Sequence, residues 1–158
     1  DIAPLVKDFV AMRAQEGAAL AAVLAAQIDQ IGILTEDAAR AAQARAPQVR
    51  ANLTNALQRV MEDVAEVDEA RLAQELAVLA VKSDVTEEID RLKAHVGAAR
   101  DLLATNQPTG RKLDFLSQEF NREANTLCAK AQAAPLTAIG LDLKAVIDQM
   151  REQIQNVE

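Results

Sequence analysis

The sequence predicts an all-α protein, built as a long antiparallel helical hairpin followed by a small bundle of about three helices. Two observations support this fold class. Apolar residues make up 50% of the 158 residues, whereas aromatic residues make up only 2%, a balance typical of long helices and coiled coils. Apolar residues also recur at spacings of three and four along most of the chain, which is the period of an amphipathic helix.

The amino-terminal half carries two long apolar stripes separated by a proline. The first stripe predicts a helix from residue 2 to about residue 45, and it contains Leu5, Phe9, Met12, Leu20, Leu24, Ile28, Ile31 and Leu34. Pro47 predicts the turn, because proline disfavours helical geometry in the residue before it. The second stripe runs from Val49 to Leu79. Residues 1–83 are therefore expected to form a hairpin arm, whose simplest role is structural or in oligomerisation.

The carboxyl-terminal part, residues 84–158, is expected to form a separate helical domain. Asp84 and Glu87 have the spacing of a capping box, with Asp84 as the N-cap. Residues 106–110 have the composition of a turn, and residues 133–135 predict a loop. The three helices of this domain are expected over about 85–105, over about 112–130, and from a cap at Thr137 nearly to the end of the chain.

Charge and cysteine content exclude several classes of protein. The net charge of −7 argues against non-specific nucleic-acid binding, which needs a basic surface, and DNA is not a predicted partner. Cys128 is the single cysteine, so no intrachain disulfide can form and a cytoplasmic setting is expected. No apolar run was expected to reach the roughly 20 residues that span a bilayer, so no membrane association is predicted.

Four side chains are predicted to meet where the 85–105 and 112–130 helices pack. Glu88 and His95 lie on one edge of the 85–105 helix, and Glu119 and Glu123 lie one turn apart on the border of the 112–130 helix. Mixed imidazole and carboxylate ligands suit Mn²⁺, Zn²⁺ or Fe²⁺, and carboxylates with water suit Mg²⁺. The alternative is ordinary, because acidic and basic pairs on a helix border are common and a lone histidine is more often structural.

A polar stripe on the same helix predicts contact with a polar partner. Asp114, Gln118, Asn121 and Asn125 share one face, although asparagine is a poor helix former. Such a stripe indicates hydrogen bonding between helices of the fold, between subunits, or with a ligand. Basic side chains that could contact phosphate are Arg91, Arg111, Lys112, Arg122 and Arg151, since guanidinium groups match phosphate oxygens.

Several segments resemble the YicC/YloC family of bacterial proteins. They are Ser83 to His95, Gly110 to Leu127, Leu143 to Glu158, and the earlier Arg13-Ala-Gln-Glu-Gly17 followed by Leu20. The resemblance implies a divalent-metal-dependent endoribonuclease that cleaves RNA, including small regulatory RNA. It also implies a ring-like homo-oligomer, possibly a hexamer, and an additional amino-terminal domain that this chain does not contain.

Residues and resemblance together predict hydrolysis of RNA phosphodiester bonds with Mn²⁺ or Mg²⁺. The expected metal ligands and catalytic residues are Glu88, His95, Glu119 and Glu123. The expected RNA contacts are Arg91, Arg111, Lys112, Gln118, Asn121, Arg122, Asn125 and Arg151. Two alternatives remain: a non-catalytic helical scaffold for oligomerisation, and a module that only binds RNA.

Overall fold

The computed structural model describes residues 2–62, 68–105 and 107–156. Five helices account for nearly all of them: α1 (Ala3–Glu62), α2 (Glu69–Ser83), α3 (Thr86–Leu103), α4 (Gly110–Lys130) and α5 (Ala134–Gln155). These ranges contain no β-strand. The predicted all-α class is confirmed.

Four of the helices form a bundle in which each helix packs on two neighbours. The middle of α1 contacts α3 and α5, and α4 contacts the same two helices from the other side. The most deeply buried side chains are contributed by all four: Ile28 and Ile31, Leu92, Phe120 and Leu127, and Leu143, Ile147 and Met150. Burial of each such side chain contributes roughly 1.5–3 kcal/mol. The predicted boundary between residues 83 and 84 stays a prediction, but this core contains residues from both sides of it.

The predicted turn at Pro47 is wrong, because α1 continues through this proline to Glu62. A proline inside a helix removes one hydrogen bond and costs about 3 kcal/mol. The carbonyl that loses its donor belongs to Gln43, and both Gln43 and Pro47 are exposed, so water can satisfy that carbonyl. The apolar stripe also continues past the proline through half-buried Val49 and Leu53, which favours an unbroken helix.

The chain does reverse direction, but after Glu62. The predicted stripe residues Val64 and Val67 lie outside the described residues. At the other end of α2, the Arg45 Nη2 atom donates a 2.7 Å hydrogen bond to the Ser83 carbonyl. This contact places the end of α2 beside Arg45, in the last third of α1. In place of the predicted hairpin of two long helices, the short α2 runs back along the end of α1, and Ser83 is its one buried residue among those described.

The predicted capping box does not form, because the N-cap of α3 is Val85 and it makes no side-chain cap hydrogen bond. The Asp84 carboxylate accepts hydrogen bonds from the Thr86 backbone N–H (2.9 Å) and hydroxyl (2.6 Å), and the bond from the hydroxyl is the main cause of a lowered Asp84 pKa. The backbone N–H, Lys130 and Arg45 lower it further. Glu87 does not complete the box, since its carboxylate pairs with Arg91 instead.

The connection from α4 to α5 also differs from the prediction. Gln132 has a φ of 50°, so the chain leaves α4 through a left-handed residue, as helices commonly do. The last helix starts at Ala134, with a proline in its first turn. Thr137 is not its cap, because its hydroxyl lies inside that turn and donates to the Ala133 carbonyl at 3.1 Å.

One stretch of α1 is more apolar than predicted. An 18-residue window within Ala3–Glu62 has a mean hydropathy of 1.6, enough to cross a membrane by length and composition alone. The prediction that no apolar run reaches the length of a bilayer span is therefore wrong. Only part of this window is buried. A core helix of a bundle can have the same length and hydropathy, and Leu24, Ile28 and Ile31 of α1 pack in the core.

Two helical glycines provide a matched test of the packing between α4 and α5. A Cβ atom at Gly140 would lie 2.5 Å from the Cys128 Sγ atom, whereas a Cβ atom at Gly17 would meet nothing within 4 Å. Gly140→Ala is expected to destabilise the protein by roughly 1–2 kcal/mol, because the overlap outweighs the helix propensity of alanine. Gly17→Ala is expected to stabilise it by up to about 1 kcal/mol. Chemical denaturation measures both, and equal effects of the two changes would contradict this packing.

Candidate metal centre on helices α3 and α4

The candidate site lies where α3 and α4 pack in antiparallel directions. Three cross-helix contacts follow one another along this seam. Lys130 contacts Glu88, Arg91 contacts Glu123, and the His95 ring lies against the ring of Phe120. As the residue number rises on α3 it falls on α4, so the seam brings the border residues of the two helices together in a fixed order.

Three of the four predicted metal ligands converge on this seam. His95, Glu119 and Glu123 each offer one ligand atom, and these atoms lie within 4.8 Å of one another. Glu119 and Glu123 are one helical turn apart on α4, while His95 reaches them from α3. We call these three residues the triad.

The surroundings of the triad suit a bound cation. Glu123 is buried, with 3% of its surface exposed, and the His95 Nε2 atom is buried without a hydrogen-bond partner among the described residues. A buried polar atom without a partner is unfavourable, which indicates that something else satisfies it. Two ligands of one ion are at most about 4.4 Å apart, since each bond is about 2.0–2.2 Å. The triad therefore needs only small side-chain movements to hold a metal.

The His95 ring is oriented by packing. Its centroid lies 5.7 Å from that of buried Phe120, and the two rings meet edge to face at 78°. Aromatic pairs favour this arrangement. Phe120 also belongs to the core of the bundle, so the imidazole is held by a residue that cannot move without disturbing the fold.

Two arginines border the triad. Arg91 donates to the Glu123 carboxylate at 3.3 Å and also pairs with Glu87. These contacts raise the pKa of Arg91, with the hydrogen bond to Glu123 as the largest cause. Arg122 lies 4.0 Å from Glu119 and is mostly exposed. Each carboxylate of the triad therefore has a guanidinium group beside it.

Glu88 is not brought to the triad. It is buried, and its Oε1 atom accepts a 2.8 Å hydrogen bond from the Lys130 Nζ atom, which also donates to the Asp84 carbonyl. Glu88 precedes His95 by two helical turns, about 10 Å along the axis, so sharing an edge of α3 does not make the two residues neighbours. The geometry gives Glu88 a structural ion pair, and the expected convergence of four ligands is corrected to three.

The predicted RNA-contacting residues fall into separate groups. Arg111 and Lys112 line a groove between the end of α3 and the start of α4. Arg151 of α5 borders a second depression, which it shares with Arg111 and Asp114.

The amide stripe does not reach across to another helix. Gln118 donates to Asp114 at 3.0 Å, and Asn125 donates to Asn121 at 3.2 Å. Both bonds run along α4 itself, and Gln118 and Asn125 are exposed. Hydrogen bonding between helices of this chain, one of the three explanations considered for the stripe, is therefore not observed among these four side chains.

Sequence reasoning missed three residues that shape the site. Phe120 belongs to the core of the bundle and also orients His95. Lys130 was not considered, although it forms an ion pair with the predicted ligand Glu88. Phe115 was not assigned to any face, and it is 61% exposed. Its position four residues before Glu119 could have shown that it shares the face of a predicted ligand.

Comparison with known proteins agrees with the motifs that gather on this seam. The sequence profile described as "Endoribonuclease YicC-like, C-terminal" matches residues 38–158. The chain belongs to this family. It is 42% identical over 154 residues to "Probable endoribonuclease YicC" of Haemophilus influenzae, covering 98% of the chain and 53% of the relative. It is 37% identical over 147 residues to the protein of the same description in Clostridioides difficile, covering 93% of the chain and 50% of the relative.

The YicC-like match covers the whole seam but only part of the related proteins. The chain spans about half the length of these curated relatives. The matched region includes α2 to α5 and the part of α1 from residue 38 onward. All three triad residues therefore lie in the region that defines the family.

The pairing of Arg91 with Glu123 predicts competition between this arginine and a metal ion. Arg91→Ala is expected to raise the affinity of the triad for Mn²⁺ several-fold, because the ion no longer displaces a cation from Glu123. The ion pair is weak because the Arg91 side chain is exposed, so the gain in affinity should stay within several-fold. Calorimetric titration of Mn²⁺ without RNA measures the effect.

Arg100→Ala is the matched control for this titration, because Arg100 forms an exposed pair with Asp29 of α1 instead. It is expected to leave the Mn²⁺ affinity unchanged. Unchanged or weaker binding in Arg91→Ala would show that Arg91 does not compete with the ion.

Proposed function

We propose that this chain carries the RNA-cleaving centre of a metal-dependent endoribonuclease, with the triad as its metal site. One observation carries the proposal: in a YicC-like chain, His95, Glu119 and Glu123 converge to within 4.8 Å from two different helices. The relatives' descriptions support endoribonuclease activity. The triad is the proposed location of the metal ion that assists RNA cleavage.

The residues of the triad would hold the ion by one imidazole and two carboxylates. This donor set suits Mn²⁺, and with bound water it is also compatible with Mg²⁺. A bound divalent cation supplies activation of water and stabilisation of the charge that develops on a phosphodiester. The protein contributes orientation, since Phe120 fixes the imidazole and the burial of Glu123 limits access of bulk water.

Arginines beside the triad would bind the phosphate that is cleaved. Arg122 is mostly exposed and lies next to Glu119, so its guanidinium group can turn toward a substrate. Arg91 would become available when a metal ion takes its place beside Glu123. Guanidinium groups pair bidentately with phosphate oxygens, which favours these two residues for the phosphate nearest to the metal.

More distant RNA contacts would come from the start of α4. Arg111 and Lys112 extend the basic character along the same helix, and Arg151 lies near Arg111 at the end of the bundle. Gln118, Asn121 and Asn125 face away from the triad and are retained as contacts for RNA or for a neighbouring subunit. On the basis of the family resemblance, we propose that the substrates include small regulatory RNA.

We also propose that the protein acts in the cytoplasm as a homo-oligomer, for which a hexameric ring is the expected form. The first third of α1 exposes an apolar stripe that nothing in the described chain covers, and it includes Ile2, Leu5, Phe9 and Met12. Contiguous exposed apolar surfaces mark sites of interaction with other molecules. This stripe is also the observation that favours the second candidate function, a non-catalytic scaffold.

Cleavage of a labelled RNA by the full-length protein tests the proposal. We expect cleavage with Mn²⁺ or Mg²⁺ and none with EDTA. His95→Ala and Glu119→Ala should each reduce the rate on the order of a hundredfold or more, since each removes one of three ligands. Glu152→Ala, at an exposed position on α5, is the control and should cut normally.

The outcomes separate the candidate functions. Normal cleavage by His95→Ala and Glu119→Ala would place the chemistry elsewhere. RNA binding without cleavage under every metal condition would favour a module that only binds RNA. If neither binding nor cleavage is observed, the scaffold is favoured.

A further inference from the structure

Phe115 is an exposed aromatic residue on the helix that carries two of the triad residues. It lies on α4 with 61% of its surface exposed, while the other aromatic residue of this helix, Phe120, is fully buried. Phe115 takes no part in the core of the bundle. Exposing an aromatic ring forgoes the burial of a large apolar surface, so its position needs another explanation.

Phe115 shares one face of α4 with the metal site. Residues advance by about 100° on a helix, which places Lys112, Phe115, Glu119 and Arg122 within a sector of about 80°. Four residues correspond to about 6 Å of helix. Phe115 therefore lies one turn from Glu119, and Arg111 lies one turn further on. A basic residue, an aromatic residue and a metal ligand follow one another along one helix face.

A groove surrounds Phe115. It has a volume of about 870 Å³ and lies between the end of α3 and the start of α4, a size usual for small-ligand sites. Ala98 and Leu102 form its wall on α3, and Leu116 and Pro108 add apolar surface. Arg111 and Lys112 line it together with one acidic residue, Asp101.

The groove continues the seam that forms the triad. On α3, the residues that follow His95 along the same edge are Ala98 and Leu102, three and seven positions later. On α4, the residue that precedes Glu119 along its edge is Phe115. Because the helices are antiparallel, these residues lie on the same side of the triad, and a ligand extending from the metal along the seam would reach the groove.

We propose that this groove is a nucleobase-binding subsite, in which Phe115 stacks on one base of a single-stranded RNA while Arg111 and Lys112 contact its backbone. This inference rests on the proposed function, since it assumes RNA as the ligand. Single strands are bound where aromatic side chains meet a basic track, because stacking needs an unpaired base. A duplex, whose bases are already stacked, would not insert a base into the groove.

The charges in the groove favour RNA over a protein partner. Arg111 and Lys112 precede Phe115 by four and three residues, about one helical turn, in a chain whose net charge is −7. A local positive charge against this acidic background suits a polyanion. Asp101 at the rim can accept hydrogen bonds from the amino group of a base.

The sequence offers a direct optical test, because these 158 residues contain no tryptophan and no tyrosine. In Phe115→Trp the indole is the single strong fluorophore, and stacking with a base should quench it. The 158-residue chain is titrated in EDTA, which prevents metal-dependent cleavage, with a single-stranded decanucleotide. The same titration uses an abasic strand of equal length and a duplex. We expect quenching by the single strand and little change with the other two.

Fluorescence anisotropy of a labelled single strand measures the effect of removing the ring. Phe115→Ala should weaken binding about tenfold, within the range seen when stacking residues are replaced by alanine. Leu141→Ala is the matched control, since Leu141 is a similarly exposed apolar residue on α5, and it should bind normally. Phe115→Trp should retain the affinity.

Equal affinity of Phe115→Ala and the unmodified protein for the single strand would overturn the subsite. Equal quenching of Phe115→Trp by the single strand and by the abasic strand would do the same. A smaller particle mass of Phe115→Ala in light scattering, with unchanged RNA affinity, would show instead that the groove holds a second copy of the chain.

Failure of this inference can be told apart from failure of the nuclease proposal. If the protein cleaves RNA through the triad but Phe115→Ala binds and cuts normally, only the subsite is wrong. If no cleavage occurs under any metal condition but Phe115→Ala loses RNA binding, the subsite stands and the nuclease proposal fails.

Discussion

The register of α3 against α4 is the constraint on which the candidate site depends. Buried Leu92 and Val96 on α3 and Leu116 and Phe120 on α4 belong to one core cluster, and they fix how far each helix extends along the other. A slip of one turn would move one helix by about 5.4 Å. That distance exceeds the whole span of the triad, so the apolar packing and the metal geometry are determined together.

The triad also places two negative charges close together within the packed interface of α3 and α4. Two carboxylates lie close together, and one of them is buried. Burying a charge is costly unless a partner compensates it. Arg91 compensates Glu123 in the chain alone, and a divalent cation would compensate both carboxylates more completely. Residues that disturb local stability in this way are typical of functional sites. Glu88 differs from the triad in that its Oε1 atom already pairs with Lys130, although its Oε2 atom is buried without a hydrogen-bond partner among the described residues.

Sequence periodicity predicted the parts of the site that lie on a single helix. The spacing of Glu119 and Glu123 fixes their shared edge, and the edge of α3 that bears His95 follows from the same rule. The register between two helices is not contained in either spacing. For this reason the sequence could not separate His95, which faces Glu119, from Glu88, which faces Lys130.

Local signals were less reliable than periodicity elsewhere in the fold. Pro47 predicted a turn, but the stripe on either side of it keeps one phase and α1 continues. The capping box predicted at Asp84 and Glu87 does not form, since Val85 is the N-cap of α3 and Glu87 pairs with Arg91. The exposure of Phe115 depends on how α3 ends beside α4, which pattern alone does not give.

The most direct test of the account is to locate a cation in crystals of the full-length protein. Crystals grown with Mn²⁺ are measured at the manganese absorption edge, and an anomalous difference map is calculated. The account predicts a peak within about 2–2.5 Å of the His95 imidazole and of Glu119 and Glu123 carboxylate oxygens. A peak at Glu88, or no peak on the seam at a saturating Mn²⁺ concentration, would contradict it.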